Sequence, residues 1–187
     1  ELPDQDVAII GMACMFPQAA NLEAYWNNIL GKVNAVGEPP DDWGAERYYD
    51  PNSDSDEHIY TKVGGFLRDL YRFNPAEFGI MPSSIDGQEP DQFLALKVAR
   101  DALVDAGYFG DDIDHTNTGI ILGHSTYLHR GQGAMVQHGV VLDQTLEIFT
   151  QLYPDLTADE LEQVRALLKA KLPPFSADTA PGVVPNV

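Results

Sequence analysis

Few side chains in this sequence have the type and setting that catalysis demands. Cys14, the only cysteine, sits in "GMACMFP" between an apolar run and a helical pattern. A nucleophilic cysteine needs an imidazole, a helix N-terminus or a cationic pocket to draw out its thiolate. Met12, Ala13, Met15 and Phe16 offer none of these, and free cysteine is among the most buried residue types, so local context makes Cys14 a packed residue. His124, His129 and His138 lie close in sequence and invite a metal site. Their spacing fits no zinc pattern, and no second cysteine or fixed carboxylate completes a ligand set. Asp41, Asp42, Asp54 and Asp56 fall in polar loop sequence, where solvated carboxylates are expected rather than an acid/base pair. Gly64, Gly65, Gly131 and Gly133 lack the lysine and hydroxyl offsets of a P-loop and the G-x-G-x-x-G run of a dinucleotide fold. No catalytic, cofactor-binding or metal-ligating residue is assigned from these patterns.

The elements that would position such groups are more legible. "DVAIIG" (6–11) is short, β-branched and closed by glycine, which predicts a buried first core strand. Leu22, Tyr25, Trp26, Ile29 and Leu30 recur at helical spacing, with Asn21 as N-cap and Gly31 as the stop. From Val33 to about Ile85 the pattern turns irregular, an excursion with short strands whose many aromatics should pack on the body. Pro90 opens a mostly buried helix that ends at a left-handed Gly107. "TGIILG" (118–123) predicts a second buried strand. "LDQTLEIFTQLYP" and "TADELEQVRALLKAKLP" predict two helices, the second opened by a capping box of Thr157 and Glu160.

Composition narrows the class. A chain of 187 residues with 44% hydrophobic residues can bury a real core. Its net charge of −18 repels phosphate backbones, which excludes nucleic acid and anionic membrane surfaces as partners. One cysteine permits no internal disulfide, and no stretch approaches the roughly 20 apolar residues of a membrane span. The opening "ELPDQD" lacks the basic start and apolar core of a secretory signal. A cytoplasmic location is expected.

Several motifs in order carry a family resemblance. "DVAIIGMACMFPQAANLEAYWNNILGKVNAV" is followed by "YYDP", by "YTKVGGFLRDLYRFNPAEFGIMP", by "EPDQFLALKVARDALVDAGY" and by "TGIILG". Together they resemble the N-terminal portion of a β-ketoacyl synthase (ketosynthase) domain of type I polyketide and polyunsaturated-fatty-acid synthases. Two local departures stand out: Met15 where the family usually shows arginine, and "QEPDQ" where it shows Met-Asp-Pro-Gln-Gln.

The resemblance implies an α/β, thiolase-like fold, incomplete here: the N-terminal part of its first half plus family insertions. Residues 1–187 are then expected to be a single truncated domain, with 33–85 an irregular excursion and 139–174 a helical insertion. It places Cys14 where these domains often carry a structural cysteine. The family's active-site cysteine, two histidines and lysine are expected downstream of Val187, so no catalytic residue carries over and the chain alone should be inactive. It further implies an acyltransferase working on phosphopantetheine-linked substrates, with no cofactor bound directly. The expected partners are the rest of the domain and synthase, an acyl carrier protein and a second copy in a homodimer. The competing reading is a non-catalytic scaffold or docking module, against which the acidity speaks, because carrier proteins are commonly acidic too and like charges slow encounter. A severed front end should leave strand edges and apolar helix faces uncovered, so that it self-associates or melts early.

Overall fold

The computed structural model describes residues 6–85, 88–108, 114, 116–123, 129–173, 175 and 179. Their contacts sort into two compact units: the described residues up to Phe73 with Leu94–Thr118, and Asn74–Phe93 with the described residues from Gly119 onward.

In the first unit, α1 spans Leu22–Leu30. It begins there because the Asn21 side chain accepts the Ala24 N–H at 2.9 Å, satisfying one of the orphan donors of a first helical turn. It stops at Gly31, whose N–H returns to the Asn27 carbonyl at 2.8 Å. The preceding loop is tied to the helix twice. Phe16 and Ala19 exchange two 2.9 Å backbone hydrogen bonds around the turn, and the Phe16 ring lies 4.5 Å from that of Tyr25.

The excursion that follows is held by a minimal ladder. β1 (Val36–Gly37) pairs antiparallel with β2 (Gly64–Gly65). Between them come 3₁₀ turns at Asp41–Trp43 and Ala45–Arg47 and a single parallel bridge from Tyr49 to Ile59. Aromatic and ionic contacts close it: Trp43 meets Phe66 edge-on at 5.7 Å, and Lys62 pairs with Glu38 at 3.4 Å and with Glu46 while lying 5.1 Å from the Tyr49 ring. Further 3₁₀ turns follow along the chain, at Arg68–Tyr71 in this unit and at Pro75–Phe78 and Pro82–Ser84 in the second.

α2 runs from Pro90 to Asp105, opening on proline because the first turn leaves its N–H position unpaired anyway. It closes in a Schellman arrangement: Gly107 takes φ +85°, its N–H bonds to Val104, and the Tyr108 N–H bonds to Leu103. The expectation of a mostly buried helix fails, since Phe93 is its only buried residue and Leu96, Leu103 and Val104 are exposed.

In the second unit α3 (Arg130–Val136), a π-helical turn (Gln137–Val141) and α4 (Leu142–Leu152) continue one another in helical backbone. α5 (Ala158–Lys169) packs back on α4. Its capping box is reciprocal, Thr157 N–H to the Glu160 carboxylate at 2.9 Å and Glu160 N–H to the Thr157 hydroxyl at 3.3 Å. Ala134, Leu142 and Leu146 are buried, and Arg165 of α5 reaches Asp143 of α4 at 3.2 Å.

The two expected core strands are a correction. Residues 6–11 and 118–123 have no regular secondary structure, and their apolar side chains stand in solvent: Val7 is 94% and Ile121 98% exposed. A strand exists by pairing, and among the described residues no backbone ladder lies alongside either run. β-Branched composition alone does not supply the missing partner.

Candidate functional site

The segment carrying Cys14 is fixed by the helix it lies on. Gly11 approaches the C-terminal half of α2 so closely that a Cβ there would stand 2.3 Å from the Ala102 carbonyl oxygen and 2.8 Å from the Ala106 Cβ. One residue on, the Met12 N–H donates to Asp105 Oδ2 at 2.8 Å. Together these seat residues 11–14 against α2, and the start of α1 completes an open groove of about 350 Å³. Its walls include Met12, Cys14, Glu23, Asp101 and Asp105.

The groove is acidic where a thiolate would need cationic help. Cys14 is half-buried, and no imidazole is among the residues lining the groove. Asp101 is engaged elsewhere, accepting from Lys97 at 2.9 Å and from Arg100 at 3.2 Å. Partial burial pushes its carboxyl up, but the hydrogen bonds from Lys97 and Arg100 outweigh that and hold it below the ordinary carboxylate range. No lysine or arginine is among the residues lining the groove either, and the only helix start that lines it, that of α1, has its Ala24 N–H taken by the Asn21 side chain.

The histidines are dispersed. His124 lies outside the described residues. His129 stands at the start of α3, where its N–H meets the Gln132 side chain at 3.4 Å. His138, in the π-helical turn, bonds through Nε2 to the Pro173 carbonyl at 2.8 Å, its ring 5.8 Å from that of Phe175. Among the described residues no three of His, Cys, Asp and Glu gather around a possible ion. Asp41, Asp42, Asp54 and Asp56 are exposed, the first two opening a 3₁₀ turn.

One anchoring residue escapes the sequence reading. Glu89 is only 7% exposed, and its carboxylate accepts the Gly131 N–H at 2.8 Å, tying the start of α2 to the first turn of α3. A carboxylate suits that place, because the free N–H groups of a helix start favour negative charge. The available signal was its position just before Pro90, inside the variant "QEPDQ".

Among the described residues the geometry presents a framework with uncovered apolar runs at 6–11 and 118–123. The chain is 38% identical over 113 residues to polyketide synthase PksM of Bacillus subtilis, covering 60% of this chain and 3% of that protein. It is 36% identical over 138 residues to a pikromycin polyketide synthase component of Streptomyces venezuelae, covering 71% of this chain and 9% of that one. The chain thus spans under a tenth of the length of these curated relatives. Among solved structures it superposes on the oxazolomycin ketosynthase domain of Streptomyces albus with a TM-score of 0.53 at 31% identity, covering 55% of this chain and 18% of that one. That supports a thiolase-like α/β fold over about half the chain. The family model described as the β-ketoacyl synthase N-terminal domain matches residues 4–161, and by that match the chain belongs to the β-ketoacyl synthase family.

Proposed function

We propose that this chain forms the opening part of a ketosynthase domain that, when complete, performs acyl transfer and decarboxylative Claisen condensation in polyketide assembly or related fatty-acid synthesis. The observation that supports the reading most is the family match over residues 4–161. In the reaction, a cysteine thiolate attacks an acyl thioester on a phosphopantetheine arm, forming a new thioester and releasing the carrier thiol. A malonyl thioester then loses carbon dioxide, and the resulting carbanion attacks the enzyme-bound acyl carbon. The cysteine thiolate leaves and a β-ketoacyl thioester remains on the carrier. Donors aimed at the developing oxyanion lower both barriers.

None of the residues in this chain is assigned a step in that sequence, and Cys14 is not its nucleophile. Their part is to build the wall on which the reactive residues sit. Residues 1–187 then form a single truncated domain, within which 33–85 is an excursion and 139–174 a helical insertion. Its partners are the remaining domain, whose strands would pair with residues 6–11 and 118–123, an acyl carrier protein, and a second copy in the complete enzyme's homodimer. The proposed compartment is the cytoplasm. Among the described residues no helix is long and apolar enough to cross a membrane.

The test is a condensation assay with acyl- and malonyl-loaded carrier proteins, read by mass spectrometry. The purified 187-residue chain is expected to yield no β-ketoacyl product, and the chain extended through the rest of its parent reading frame is expected to yield it. Product from the short chain, or none from a folded extended one, would overturn the reading.

A further inference from the structure

We draw no further inference here: the strongest candidate, the exposed apolar stripe of Val141, Ile148 and Leu152 along the α3–α4 helical run, carries nothing because nothing in the structure shows what covers it.

Discussion

Glu89 and Glu160 do the same job at two helix starts, one buried and one in solvent. At Glu89 the carboxylate is the acceptor for a buried N–H, so Glu89→Ala leaves that donor without a partner. The expected loss is about 1–3 kcal/mol of unfolding free energy in urea, the usual penalty for an orphaned buried group, and Glu89→Gln, which keeps an oxygen acceptor, should lose less. At Glu160 the N–H and hydroxyl of Thr157 hold the carboxyl below its ordinary value of 4.5. A carboxylate depressed in the folded state stabilises it above the unfolded pKa, and that contribution disappears as pH falls through the folded value. Far-ultraviolet circular dichroism should therefore show α5 losing helicity on acidification below about 4.5, the ordinary value. Thr157→Ala should flatten that dependence, because it removes the hydroxyl donor and the reciprocal cap.

At the scale of elements, two glycines are required for different reasons. Gly107 adopts φ +85°, which a side chain strains, so Gly107→Ala is expected to cost about 1–2 kcal/mol and fray the end of α2. Gly11 is required by proximity: the obstacle is the backbone carbonyl of Ala102, which cannot swing aside. Gly11→Ala should cost about 1–3 kcal/mol as overpacking and break the Met12–Asp105 hydrogen bond. Urea titration of both variants checks the two values, and amide exchange at Met12 separates them. These helix ends were legible in the sequence because their determinants are local: Asn21 and Gly31 bracket α1, Pro90 and Gly107 bracket α2, and Thr157 with Glu160 opens α5. The Glu89–Gly131 contact joins positions 42 residues apart, and the seating of Gly11 on α2 is equally remote, so neither left a local signature. Residues 6–11 and 118–123 failed as strands for the same reason, since pairing is decided by a neighbour and not by the run itself. The apolar neighbours of Cys14 were readable in the sequence, whereas the acidic wall beside it, Asp101 and Asp105 from α2, was not.

Over the whole molecule, the buried apolar set among the described residues is small: Ala19, Ala45, Phe93, Ala134, Leu142 and Leu146. Each large aliphatic side chain left in water forgoes roughly 1.5–3 kcal/mol of burial. Ile120, Ile121 and Leu122 are all in that state, as are Val7, Ile9 and Ile10. Replacing Ile121 with lysine should leave the unfolding free energy of this chain within about 0.5 kcal/mol, because that side chain is 98% exposed. The same substitution should reduce self-association in light scattering, whereas in the complete ketosynthase it should destabilise the core it would enter. An unchanged scattering profile would remove residues 118–123 from the account of association.

The uncovered Val7 and Ile121 runs also make the chain a charged colloid. With a net charge of −18, mutual repulsion is the force holding molecules apart against those sticky stretches. Salt shortens its reach from about 10 Å at 0.1 M to about 3 Å at 1 M. Clouding is then governed by the buffer, setting in with rising ionic strength or as acid titrates the carboxylates toward the isoelectric point near 4.3.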